Sequence, residues 1–360
     1  MALRVKPHIE TISPLEHGGI GWAGLKDGGG LLDFSTCCNP YGPPAEVRKA
    51  LRNIDIAGYP DPQSGELLEA LSQMLGIATA NIMAGSGSTE IIRLAAQAYL
   101  EAGDSVVIPS PTYGEYDLAS RIAGAGVVEY KLSEERDFQL DMDAFISFAR
   151  SHNPKAIFLC NPNNPSGQLL SHGDVRRLVK AFPDTLVVLD EAYLGFTPDP
   201  GNAPALINEP NVLVIRSMTK DYALAGLRLG YGLACRDIIN NLEKVRPPWN
   251  VSSPARQAGI AAIRSTGYMR ECNLRIQKYK TYLESRLLKL GYKTIPTDTH
   301  FFLVKIGDAA RFKSRLLEEG FLVRDCASFG LPDYVRISPR RMTDCRRLIK
   351  AVTEIAGKAG

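Results

Sequence analysis

Apolar positions along this chain follow two rhythms that alternate. Short, largely apolar runs, most of them rich in β-branched residues, at 105–108, 127–130, 156–160, 186–189 and 212–215, read as buried strands. Between them, residues 113–122, 144–150 and 174–181 repeat their apolar positions at helical spacing. That alternation predicts an α/β fold, a mostly parallel sheet with helices on both faces. Upstream, residues 31–35 read as a short strand and 45–52 and 65–74 as helices. Residues 82–92 read as a strand passing through a Gly/Ser turn into a helix that ends near residue 100. Residues 1–30, punctuated by Gly18-Gly19 and Gly28-Gly29-Gly30, read as an irregular arm. Past residue 250 the rhythm changes to one long helical stretch from 255 to about 290, a strand at 301–304 and a helix at 309–318. An extended run at 321–324, a strand at 334–338 and a last helix from 343 follow. The implied division is an arm with the first part of a small domain (1–45), a large domain (46–249) and a small C-terminal domain (250–360).

Length agrees with that division, because single cores stop growing at ~250–300 residues and this chain has 360. Its 45% apolar and 22% charged content and its formal charge of +3 are ordinary for a globular protein and give no nucleic-acid footprint. Arg336, Arg340, Arg341, Arg346 and Arg347 do cluster, but the last of them read as the solvated face of a terminal helix. Seven cysteines without pairing rhythm point to a reducing cytosol. The first residues lack a secretory apolar region and no apolar run is long enough to cross a bilayer, so the expected location is cytoplasmic, with no membrane partner.

Chemistry is suggested by what stands at the strand ends. In open α/β sheets, ligands sit beyond the carboxyl ends of the strands, and Asn164, Asp190, Tyr193 and Lys220 all fall there. Ser86-Gly87-Ser88 opens a helix, so its amides and hydroxyls form a candidate phosphate cradle. It is neither a dinucleotide fingerprint nor a Walker loop, which argues against a nicotinamide oxidoreductase. A pyridine aldehyde cofactor would use all of these parts: the Lys220 amine for the aldehyde, Asp190 for the ring nitrogen, Asn164 and Tyr193 for the ring oxygen, and Tyr113 to stack.

Ser217-Met218-Thr219-Lys220 with Gly226-Leu227-Arg228-Leu229-Gly230-Tyr231, Asn164-Pro165-Ser166-Gly167, Asp190-Glu191-Ala192-Tyr193 and Tyr334-Val335-Arg336-Ile337 carry a resemblance. Taken in their order along the chain, and over nearly its whole length, they resemble the pyridoxal-phosphate enzymes of the aspartate aminotransferase fold, class I/II. The resemblance implies Lys220 on the cofactor aldehyde, Asp190 at the ring nitrogen, and Ser86, Gly87, Ser88, Ser217 and Arg228 at the phosphate. It also implies that Tyr59 reaches the phosphate of a neighbouring subunit's cofactor, hence a homodimer with shared active sites. Histidinol-phosphate aminotransferases share the core and Pro111-Thr112-Tyr113-Gly114. Threonine-phosphate decarboxylases, which serve cobalamin side-chain synthesis, resemble the chain at His17-Gly18-Gly19, Asp33-Phe34-Ser35, Tyr59-Pro60-Asp61-Pro62, Pro248-Trp249-Asn250-Val251 and Arg324-Asp325-Cys326-Ala327-Ser328-Phe329. Ile20 and the pair Cys37-Cys38 depart from that decarboxylase pattern.

The expectation is therefore a lyase that decarboxylates O-phospho-L-threonine, with transamination of histidinol phosphate and 2-oxoglutarate as the alternative. His17, Gly18, Arg324 and Arg336 are the expected substrate ligands, and no metal is expected. The two reactions differ in which bond at the amine-bearing carbon stands perpendicular to the cofactor ring. A few ångströms of arginine placement decide that.

Overall fold

A computed structural model describes residues 3–15, 18–19, 30–198, 201 and 203–357. Its central feature is a seven-stranded sheet built from β2 (Ile82–Gly85), β3 (Ser105–Ser110), β4 (Gly126–Lys131), β5 (Ala156–Cys160), β6 (Leu186–Asp190), β7 (Val212–Ser217) and β8 (Gly230–Ala234). Their spatial order is β2-β8-β7-β6-β5-β3-β4, and only β8 runs against its neighbours. β8 had no strand signal of its own, since two of its five residues are glycine. The architecture is α/β, as the alternating pattern predicts.

Strand side chains alternate between two cores because successive residues of a strand point to opposite faces. Ile157, Leu159, Val187, Leu189, Val212 and Val214 pack on one face with helices Gly65–Leu75, Met142–Ser151, His172–Ala181 and Ser253–Arg264. Ala156, Phe158, Leu186, Val188, Leu213 and Ile215 pack on the other with helices Ser88–Tyr99, Glu115–Ile122 and Arg236–Val245. Burial on both faces explains why these strands read as continuous apolar runs instead of alternating ones.

The chain leaves this layer through two helices, where the apolar spacing predicts one. Ser253–Arg264 stops at Ser265, and Gly267, at φ +81, turns the chain before Tyr268–Lys289 begins. Glycine takes that left-handed conformation without steric penalty, and the polar residues beside it do not disturb the apolar period. The second helix bridges the molecule: Cys272 and Ile276 pack on Phe196 of the large layer, while Leu283 and Leu287 enter a third core. That core lies under a four-stranded antiparallel sheet of β9 (Lys293–Thr294), β10 (Phe302–Lys305), β12 (Arg324–Asp325) and β13 (Tyr334–Ile337). The segment after the arm joins the same region, since β1 (Leu32–Asp33) pairs in parallel with β11 (Phe321–Leu322). Within the arm, Pro7–Glu10 forms one helical turn where an irregular segment is expected; Pro7 stands at its first position, where a missing N–H costs nothing.

Candidate active site

At the carboxyl edge of the large sheet, facing the small one, lies a cavity of about 170 Å³. Its wall includes Asp190, Lys220, Tyr193, Asn164, Ser88 and Arg228 from the large layer, and Gly18, Ser35, Cys37, Arg324 and Arg336 from the arm and small sheet. Among the described residues of that wall, Lys220, Arg228, Arg324 and Arg336 are four cations around one carboxylate, Asp190. A cavity so charged is suited to more than one anionic group.

Asp190 is the last residue of β6, and its carboxylate is buried at 2% exposure. It accepts hydrogen bonds from the Tyr116 hydroxyl at 2.8 Å and the Ala192 N–H at 3.0 Å. Burial lifts its pKa to about 6, against the opposing pull of those two donors and the Lys220 charge. No ion pair to Asp190 exists among the described residues, so a buried carboxylate waits for a cation. Lys220 follows β7 by three residues, and its Nζ stands 6.0 Å from the centroid of the Tyr193 ring. The backbone of this turn is held by Asn39, whose N–H donates to the Lys220 carbonyl at 2.9 Å.

Two glycines shape the neighbouring turn. Gly87, at φ +86, has its Cβ direction only 2.8 Å from Arg228 Nη2, and a Cβ on Gly230 would stand 2.7 Å from the Ser88 nitrogen. Side chains at either position would push the helix start and the arginine apart. Because β2 and β7 both flank β8, with Gly85 and Ser217 each in register with Gly230, the turn after β2 is brought against Arg228. Arg228 itself has φ +57, a backbone conformation that few non-glycine residues adopt and that often marks function. The helix Ser88–Tyr99 thus presents its first amides to the cavity beside a guanidinium, with no side-chain cap on its N-cap Gly87.

The other wall is assembled from distant segments. Arg336, in the middle of β13, is buried; it donates to Asn164 Oδ1 and, at 2.8 Å, to the Ser35 carbonyl, while its Nε has no partner among the described residues. No carboxylate lies within ion-pair distance of it among the described residues. Arg324 is also buried, with Nη2 donating to Ser328 Oγ at 2.7 Å and its guanidinium over the Phe329 ring. Gly18 sits against Ser35 and the Arg324 stem, and the Gly19 N–H donates to Ser35 Oγ at 3.0 Å. His17 lies outside the described residues.

The expected residues do not all reach the cavity. Ser86 stands off its wall, its N–H donating to Glu90 Oε2 at 2.6 Å, and Ser217 Oγ pairs with Thr219 Oγ1 at 2.7 Å. Tyr113 does line it, hydroxyl 3.3 Å from Thr89 Oγ1 and ring edge-on to Tyr116; burial raises its pKa to about 12. Tyr59 is 81% exposed and stacks on Trp249 at 4.5 Å, away from this cavity. Sequence reasoning missed Tyr116, Thr89 and Cys37. Tyr116 could have been found three positions after Tyr113 on a helix facing the strand end; nothing in the pattern marks the others.

Known proteins match this chain over nearly its whole length. The sequence profile described as aminotransferase class I and II matches residues 30–352. A histidinol-phosphate aminotransferase of Symbiobacterium thermophilum is 35% identical over 340 residues, 93% of this chain and 92% of its own. The crystal structure of histidinol-phosphate aminotransferase from Sinorhizobium meliloti, in complex with pyridoxal-5'-phosphate, superposes with a TM-score of 0.89 at 26% identity, covering 100% of this chain and 99% of that one. L-threonine-O-3-phosphate decarboxylase from Porphyromonas gingivalis is also similar, at 29% identity and a TM-score of 0.81, over 90% of this chain and 99% of its own. Further relatives with the histidinol-phosphate aminotransferase name match at comparable identity. These relatives overturn the expectation of a phosphothreonine decarboxylase acting in cobalamin synthesis. The features that favoured it are short pieces of the arm, hinge and loops, outweighed by a match along nearly the whole chain.

Proposed function

Since the chain belongs to the class I and II aminotransferase family and is a pyridoxal-phosphate-dependent enzyme, we propose that it moves the amino group of histidinol phosphate to 2-oxoglutarate. The residues fit the cofactor: the glycine-shaped turn beside Arg228 suits a phosphate, and the unpaired buried Asp190 suits a protonated ring nitrogen. When bound, pyridoxal phosphate supplies an aldehyde and a ring that draws electrons from the substrate's amine-bearing carbon.

Around that group the chain's own residues divide the work. Lys220 is the amine that meets the aldehyde and then carries the proton taken from the substrate carbon. Asp190, held by Tyr116 and the Ala192 amide, keeps a proton on the ring nitrogen and is itself held ionised by it. Asn164 and Tyr193 would hold the ring oxygen, Tyr113 would cover the ring, and Ser88 and Arg228, with Gly87 beside them, would receive the phosphate, while Ser86 and Ser217 fix the adjoining turns. Arg324, Arg336, Gly18 and His17 take the anionic end of the substrate. The chain works as a homodimer, in which exposed Tyr59 completes the partner's phosphate site.

The observation that carries the reading is the Arg336 guanidinium, of a residue only 6% exposed in the cavity wall, with no carboxylate in ion-pair contact among the described residues. Burying an unpaired guanidinium is unfavourable unless an anionic ligand arrives. A phosphate or carboxylate on each substrate meets that need, and a planar fork suits both. Histidinol phosphate and its phosphate-free counterpart histidinol test this directly, with glutamate formation from 2-oxoglutarate as the readout. We expect histidinol to lose about a hundredfold or more in kcat/KM; equal rates would remove the phosphate from the account.

A further inference from the structure

Glu90 is out of place beside an anion site. It stands in the first turn of helix Ser88–Tyr99, where its carboxylate would repel the phosphate proposed to sit at the same helix start. Its contacts explain what it does there. Glu90 Oε2 accepts the Ser86 N–H at 2.6 Å and the Asn250 Nδ2 at 2.7 Å. Asn250 also donates to the Ala84 carbonyl at 3.3 Å, while its Oδ1 accepts from Arg246 Nη1 at 2.9 Å. The same Arg246 nitrogen donates to the Pro62 carbonyl at 2.8 Å, and Trp249, the neighbour of Asn250, stacks on Tyr59. A continuous set of hydrogen bonds therefore runs from the Tyr59–Pro62 loop through Arg246 and Asn250 to Glu90 and the Ser86 amide.

We propose that Glu90 and Asn250 are positioning residues that set the conformation of the phosphate turn and tie it to the loop carrying Tyr59. The inference rests on the phosphate-cradle reading above. Without Glu90, the Ser86 N–H has no acceptor and the turn 85–88 is free to rotate its amides away from the anion. Gly85 shows how closely the parts are fitted, since a Cβ there would stand 3.2 Å from Glu90 Oε2 and 2.8 Å from Ile91 Cγ1. The carboxylate therefore acts through backbone geometry, and its role outweighs the repulsion it adds.

The test compares binding of pyridoxal phosphate and of phosphate-free pyridoxal to the apoprotein of wild type, Glu90→Ala, Glu90→Gln, Asn250→Ala and Arg228→Ala, with thermal unfolding measured on each. Glu90→Ala and Asn250→Ala should each weaken pyridoxal phosphate by about tenfold, the scale of one lost charge-assisted hydrogen bond, and leave pyridoxal within about twofold. Glu90→Gln, which keeps an acceptor at the same reach, should restore most of the loss. The double variant Glu90→Ala with Asn250→Ala should lose little more than either single one, because both break the same bridge. If Arg228→Ala discriminates between the two ligands but Glu90→Ala and Asn250→Ala weaken both equally or neither, the positioning role is wrong and the cradle stands. If Arg228→Ala does not discriminate either, the cradle itself is wrong and the inference goes with it.

Discussion

One wall of the cavity and the other are built in different ways. Asp190, Lys220, Ser88 and Arg228 stand at strand ends of one sheet, or within a turn of one, and register places them: Cys160 opposite Asp190, Asp190 opposite Ile215, Gly85 and Ser217 opposite Gly230. Gly18, Ser35, Cys37, Arg324 and Arg336 come from the arm and the small sheet, and the Arg336 to Ser35 hydrogen bond joins residues 301 apart in the chain. In the proposed function, the first wall carries the cofactor chemistry. In the same proposal the second wall, placed by docking of separate segments, decides which amine enters and which bond is presented. A family can therefore keep the first wall and vary its substrates through the second.

Variants on each wall should separate these roles. Lys220→Ala, on the cofactor wall, should lower turnover about 10⁴-fold for every amine donor, and borohydride should no longer fix pyridoxal phosphate to the chain. Residual fixation at another lysine would break the assignment. Asp190→Asn should still bind cofactor but lower kcat by about 10²-fold or more with KM little changed, measured by steady-state kinetics and cofactor absorbance. Arg336→Gln, on the substrate wall, should raise KM for the phosphorylated amine by about a hundredfold while pyridoxal phosphate affinity stays within about threefold. A loss of cofactor affinity in Arg336→Gln would dissolve the division between the walls.

The smallest effect lies on the seam. His300 is fully buried, stacked on Phe196 at 3.6 Å and beside Tyr193 and Phe301, and burial lowers its pKa to about 3. An unfolded histidine titrates near ~6.5, so below that pH the unfolded chain takes up a proton that the folded one refuses. Stability is therefore fully present above about pH 6.5 and falls as pH drops toward the folded value, by about 1.4 kcal/mol per unit. His300→Phe keeps the aromatic stack and should flatten that acid limb, as urea unfolding of both proteins at about pH 7 and about pH 5 would measure. Equal slopes would mean that His300 does not report on the seam.

The difference between the walls also explains what the sequence made legible. Apolar runs such as 156–160 and 186–189 mark β5 and β6 because those strands are buried on both faces, and a polar residue directly after such a run, Asp190 above all, is conspicuous. Strand β8 was obscured by its glycines: Gly230 allows close approach to Ser88, and Gly232 leaves room for Ile91 and Leu213. The break at Ser265 to Gly267 was obscured because the apolar period continues across it. Ser35 and Cys37 stand out in the sequence only as part of, or a departure from, a short motif, and neither signals a place in the cavity, which depends on how β1 pairs with β11, a contact between residues far apart in the chain. The reaction was misjudged for the same reason: arm and loop motifs suggested a decarboxylase, but the substrate wall's geometry is a tertiary property that short motifs do not report.

Purified enzyme loaded with pyridoxal phosphate and given histidinol phosphate with 2-oxoglutarate, and in a second vessel O-phospho-L-threonine, tests the central claim in one step. The account predicts glutamate in the first vessel and no carbon dioxide in the second. Carbon dioxide from phosphothreonine with no glutamate from histidinol phosphate would contradict it.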